Sequence, residues 1–168
     1  MIQGKLKPIW KIKDYKDIEW RSNEDHYNHF KTSKNNAKKF KDSVGVYINN
    51  NVGDVFEKVA QKFNLDKTVV ALNKMSVGQI LPWHKDKYAT YIKRNKIKRK
   101  KDIIRIIVFL EDSMPGHQLW INDKFCYGKA GSYFGWPYNT KHMAANIGET
   151  DRYTLQITGI KNGHTSKS

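Results

Sequence analysis

From residue 68 to residue 160 the chain is a succession of short runs rich in β-branched and aromatic residues, each cut off by turn formers, and this punctuation limits the fold more than any other feature. The runs are TVVALNKM (68–75), QILPWHKD (79–86), IIRIIVFLE (103–111), HQLWIN (117–122), KFCYG (124–128), SYFGWP (132–137), HMAANI (142–147) and RYTLQITGI (152–160). Between them stand SVG, MPG, ND, GKAG, PYNTK and GETD. Gly supplies positive φ there, Pro presets φ, and Asn or Asp bonds its own backbone. Eight short strands in succession predict a mainly β protein with flanking helices, closed as a jelly roll or barrel.

Residues 1–67 show no sustained period except in NNNVGDVFEKVAQKFN, where Val52, Val55, Phe56, Val59, Ala60 and Phe63 recur at helical spacing. That predicts one amphipathic helix over about 52–63, capped by the Asn-rich start. The expected organisation is a single domain of 168 residues: helical and strand support over 1–67, the β core over 68–160, and a frayed tail over 161–168. The one long connection, 87–102, carries seven basic residues in the nine from Lys93 to Lys101, and reads either as a substrate lid or as a solvated, disordered insertion.

A formal net charge of +15 predicts attraction to anionic partners, with nucleic acid, acidic protein and anionic lipid as the classes it leaves open. Cys126 is the only cysteine, which excludes an intramolecular disulfide and any multi-cysteine metal site, and is read as a small core hydrophobe. Without an apolar run of signal or membrane-span length, the expected location is cytoplasmic, away from membranes.

His84 and Asp86 stand two apart in LPWHKDKYATY, a spacing that puts both on one face of a strand. Alone, His-x-Asp is common enough to mean little. His142 opens a later strand, and antiparallel strand ends distant in sequence meet in a barrel. Two histidines and a carboxylate on one face of a metal leave open positions, as in non-haem iron(II) oxygenases; zinc with a bound water is the competing occupant. Arg152 begins the last strand, with Thr154 on the same face. Pointed into a barrel, its charge needs a partner, and a ligand carboxylate fits its planar fork.

The ordered set His84-x-Asp86, His142, Arg152-x-Thr154 resembles that of the iron(II)- and 2-oxoglutarate-dependent oxygenases. RIIVFLED before MPGHQLWI, and GKAGSYFGWPYNTKHMAANIG before the second histidine, are similar to the family's flanking strands, and the likeness covers about 68–160. It implies a double-stranded β-helix of the jelly-roll, cupin-like kind. It also implies iron(II) on His84, Asp86 and His142, with 2-oxoglutarate and O2 as cosubstrates and ascorbate in support. Arg152 would pair with the far carboxylate of 2-oxoglutarate and Thr154 would add a hydroxyl hydrogen bond.

Arg ten residues after the second His, followed by Thr, looks most like the prolyl-hydroxylase branch, which implies a hydroxylase of a protein or peptide with proline as the candidate acceptor. Asn73 with Gly78 is similar to the N-x-Y-x-x-G segment that helps bind 2-oxoglutarate in the nucleic-acid demethylase branch, although Met75 stands where that branch has tyrosine. Oxidative demethylation or hydroxylation of nucleic acid is therefore the second reading, and a non-catalytic basic jelly-roll module the third. Tyr88, Tyr91 and Trp136 are candidates for the substrate mouth, and the basic run 93–101 for contact with nucleic acid or a nucleic-acid-associated protein. His26 and His29 read as solvated surface, and neither His117 nor His164 is given a role.

Overall fold

The computed structural model describes residues 1–22 and 43–161. His26 and His29, as well as His164 and the rest of the expected tail from 162 onward, lie outside the described residues.

Eleven strands form two antiparallel sheets among the described residues. In chain order they are β1 (Ile2–Lys5), β2 (Arg21–Ser22), β3 (Tyr47–Asn49), β4 (Leu65–Met75), β5 (Ile80–His84), β6 (Ile103–Phe109), β7 (His117–Ile121), β8 (Lys124–Phe125), β9 (Ser132–Pro137), β10 (His142–Asn146) and β11 (Arg152–Lys161). The larger sheet runs β1-β9-β6-β11-β4-β3-β2 and the smaller β5-β10-β7-β8. From β4 onward the chain crosses from sheet to sheet at nearly every step, pausing only at the β7–β8 hairpin, where Asn122 takes the left-handed conformation at φ 50°. This winding is a jelly roll, as the strand pattern predicts.

Each strand of the large sheet presents two different faces, because successive side chains alternate. Val70, Leu72, Ile104, Ile106, Val108, Leu155 and Ile157 point outward into a core shared with Trp10, Tyr15 and helix α1 (Asp54–Gln61). The helix buries Phe56, Val59 and Ala60, keeps Asp54 and Glu57 in its first turn where the helix dipole favours them, and stops before Asn64 at φ 47°. Trp10 is fixed by donating from Nε1 to the Leu110 carbonyl at 2.9 Å. The opposite face, with Met75, Ile107 and Phe109, meets Leu119, Ile121 and Ala144 of the small sheet to form the interior.

The strand limits differ from the sequence reading mainly at ends. β5 stops at His84, so Asp86 stands beyond it, and β8 covers two residues instead of five. β1 was hidden in an aperiodic stretch because its stability comes from pairing with β9, far along the chain. The segment 87–102, read as either a lid or a disordered insertion, holds helix α2 (Ala89–Asn95) and a 3-10 turn (Lys100–Asp102). Tyr88 and Ile97 anchor it by burial against Ile103, Tyr138 and Ile160, while Lys93, Arg94, Lys96, Lys98, Arg99, Lys100 and Lys101 are exposed. Among the described residues no helix is long and apolar enough to cross a membrane.

Candidate metal centre

His84 closes β5 and His142 opens β10, and the two are register partners, so their rings lie with centroids 4.2 Å apart. A bulge between the two strands, spanning Pro82 and Trp83, turns both Leu81 and His84 toward the interior. Asp86, just past the strand, folds back under the pair. Its Oδ1 is 3.6 Å from His84 Nε2 and its Oδ2 is 3.6 Å from His142 Nε2. The ligand atoms of the three residues all lie within 4.8 Å of one another, a spacing that can hold one metal ion.

Both rings are oriented by the backbone. His84 Nδ1 is 2.6 Å from the Pro82 carbonyl and His142 Nδ1 is 3.0 Å from the Thr140 carbonyl. A carbonyl only accepts, so a proton on Nδ1 completes each of these bonds, and the ring is turned with Nε2 toward Asp86. This outer bond fixes the ring angle, as it does for metal-binding histidines generally. Burial pushes His142 down to about 4, which keeps it neutral near pH 7. Burial alone would raise Asp86, yet Arg105 first, then His84 and His142, hold its carboxyl well below the usual carboxylate range. Asp86 Oδ2 is buried and has no well-formed hydrogen bond; its contact with Arg105 Nη1 at 3.2 Å is an ion pair of poor angle.

A cavity of about 300 Å³ runs from this centre into the barrel. Asn73, Gln156, Trp136, Thr154 and Arg152 line it, together with apolar walls from Ile107, Leu119 and Ala144. Strand register sets its depth: Thr158 faces Arg105 near the metal end, whereas Arg152 faces Met75 at the far end. Arg152 is buried over the Phe109 ring, 5.2 Å from its centroid, and burial pulls its guanidinium down to about 10. Among the described residues it makes no ion pair, and its Nη2 has no hydrogen-bond partner. Asn73 is similarly under-used, with Oδ1 unpartnered and Nδ2 3.5 Å from Gln156 Oε1.

Of the residues singled out in sequence, His84, Asp86, His142, Arg152, Thr154, Asn73 and Trp136 are brought to this one cavity. Trp136 packs its ring 4.7 Å from that of His142. Tyr88 and Tyr91 are not on the wall. Tyr88 is buried under Arg105, whose guanidinium carbon is 4.8 Å from the ring centroid, and Tyr91 turns away to donate to the Lys67 carbonyl at 3.0 Å. His117 is structural: its Nε2–H donates to the Thr150 carbonyl at 2.9 Å. Cys126 is buried in the interior cluster. Arg105 went unnoticed in sequence, although an arginine inside IIRIIVFLE already demanded a buried partner.

No protein-family model matches the sequence, and no curated protein matches it. Solved structures do resemble the fold. A prolyl-4-hydroxylase from Pseudomonas putida aligns over 71% of this chain and 73% of its own at 12% identity, with a TM-score of 0.54. KdgF from Halomonas sp. covers 88% of this chain and 90% of its own at 11% identity and a TM-score of 0.48. A predicted oxalate decarboxylase from Thermotoga maritima covers 68% and 80% at 17% identity and a TM-score of 0.45. At such identities the likeness is one of fold. The chain is a jelly roll.

Proposed function

We propose that the protein is an iron(II)- and 2-oxoglutarate-dependent oxygenase that hydroxylates a protein or peptide, with proline as the candidate acceptor. The observation that carries this reading is the buried guanidinium of Arg152, without an ion-pair partner among the described residues, at one end of a cavity whose other end gathers His84, Asp86 and His142. A buried charge without a partner is costly, and a ligand with a carboxylate at that end relieves the cost. Two imidazoles and one carboxylate suit a first-row metal that keeps open positions. Asp86 Oδ2 and the two Nε2 atoms fit that donor role, and a dicarboxylic keto acid matches the polarity of the two cavity ends. The jelly roll shared with a prolyl-4-hydroxylase is a scaffold compatible with this chemistry.

Bound iron(II) supplies the one-electron and dioxygen chemistry that side chains lack, with 2-oxoglutarate as the co-reductant. The chain positions and shields. The Pro82 and Thr140 carbonyls orient the imidazoles, and Arg152 with Thr154 would hold the far carboxylate of the cosubstrate. Ile107, Leu119, Ala144 and Trp136 keep water from the space between. Asn73, with its unpartnered oxygen inside the cavity, favours the second reading, in which the oxidised group belongs to nucleic acid.

Purified protein given iron(II), ascorbate and 2-oxoglutarate is expected to form succinate slowly alone and faster with proline peptides. Stimulation by methylated oligonucleotides and not by peptides would transfer the activity to the second reading. Absence of both cosubstrate binding and succinate would leave a non-catalytic module.

A further inference from the structure

The outer face of the small sheet, away from the cavity, carries a row of side chains drawn from each of its strands. Leu119, Ile121, His142 and Ala144 point inward, so their neighbours Trp120 on β7 and Met143 on β10, which are register partners, point outward. Phe125 on β8 pairs with Trp120 on the other side, their rings 5.1 Å apart, and Tyr127 continues the row 6.2 Å beyond. At the opposite edge stands Trp83 of β5, with Lys141 Nζ 5.3 Å over its ring. Trp83, Phe125 and Tyr127 remain 45%, 42% and 58% exposed, high values for rings on one sheet face. The row ends at the metal centre, since Trp83 adjoins His84 and Lys141 adjoins His142.

Charge decides what could cover this face. Lys141 lies over Trp83, Lys85 and Lys129 stand two residues from Trp83 and Tyr127, and all three are exposed, against Asp123 in the hairpin turn, and the chain carries +15 overall. A second copy would bring the same positive charge to the same surface, which disfavours self-association. A partner with flat rings and a negative backbone satisfies both features at once. Stacking on exposed side-chain rings needs bases whose faces are free, as they are in a single strand and are not in a duplex.

We propose that this face binds single-stranded nucleic acid, with bases on Tyr127, Phe125, Trp120 and Trp83 and phosphates beside the flanking lysines. It is independent of the redox reading, because binding here needs neither metal nor 2-oxoglutarate.

Fluorescence anisotropy of a labelled oligothymidine with the full chain, at low and raised salt, tests it. The wild type should bind with salt-dependent affinity and show quenched tryptophan emission. Phe125→Ala, Tyr127→Ala and Trp83→Ala should each weaken binding by about tenfold. Phe125→Leu, which keeps apolar area and loses the ring, should weaken it similarly, and all four should keep the wild-type unfolding midpoint. Heparin, a polyanion without bases, should bind all variants alike. The proposal is overturned by unchanged oligothymidine affinity in the ring variants, by a duplex binding as tightly as the single strand, or by a parallel loss of heparin binding. A concentration-dependent dimer that Phe125→Ala breaks, without oligonucleotide binding, would assign the face to a second copy instead.

Discussion

Arg105 and Asp86 form an ion pair inside the cavity, Nη1 to Oδ2 at 3.2 Å, on the same carboxylate oxygen that lies 3.6 Å from His142 Nε2. The guanidinium therefore neutralises Asp86 in the metal-free chain, and a metal at this centre would compete with it for that oxygen. Gln156 steadies it by accepting from Nη1 at 2.9 Å.

Arg105→Met should destabilise the metal-free protein by about 2–4 kcal/mol, because it leaves a largely buried carboxylate without its guanidinium partner. Manganese(II) should then raise the unfolding temperature more in the variant than in the wild type. Equal metal-induced shifts in thermal melts would show that Arg105 does not compete for Asp86.

Arg152→Met is expected to act in opposite directions on stability and binding. Removing an unpaired buried charge should stabilise the ligand-free chain by about 1–3 kcal/mol. Losing a charge-assisted bond of roughly 1.5–3 kcal/mol should weaken 2-oxoglutarate by about one to two orders of magnitude. Arg152→Lys should also bind weakly, since an ammonium lacks the planar fork. Urea unfolding and titration of each variant check both signs; a destabilised Arg152→Met would mean that the guanidinium is satisfied in the fold.

Acid should weaken the metal-free protein through His142. Burial holds the folded-state value at about 4, against about 6.5 in an unfolded chain. Between these values the unfolded chain takes up a proton that the folded chain refuses, so stability falls as pH drops from about 6.5 to about 4 and this contribution is flat below. Asp86 has the depressed value of a paired carboxylate, so its contribution is intact above about 3.9 and disappears at still lower pH. Unfolding free energies from pH 7 to pH 4 should fall by about 3 kcal/mol more in the wild type than in His142→Gln. Parallel pH profiles would contradict the assignment.

Phe56→Ala tests the support layer. Phe56 is fully buried between α1 and the large sheet, with its ring 6.4 Å from that of Trp10. Its truncation should cost about 3–5 kcal/mol. It lies on the opposite side of the sheet from the cavity, so 2-oxoglutarate affinity below the melting temperature should be unchanged. A large loss of affinity would show that the two faces are coupled.

Much of this architecture was legible because alternation and turn chemistry are local. The runs that become β6, β9, β10 and β11 begin where the sequence predicts, and α1 occupies the centre of its expected range. Asp86 joins the two histidines by a different route, through a bulge and a turn beyond β5, since period two says nothing of bulges. The α2 segment was obscured by its charge: Tyr88 at φ 52° starts the helix in a conformation rare for a bulky residue, and its anchors, Tyr88 and Ile97, sit at opposite ends of a lysine-rich run. Arg105 and the outward row from Trp83 to Tyr127 depend on which strands become neighbours, and that is decided by long-range pairing.

The most direct test is calorimetric titration of 2-oxoglutarate into manganese-loaded and metal-free protein, for the wild type, Asp86→Ala and Arg152→Met. Tight binding should require both the metal and Asp86, and should weaken about 10- to 100-fold in Arg152→Met with the metal still bound. Equal affinity in all three proteins, or binding indifferent to manganese, would contradict a shared site for metal and cosubstrate.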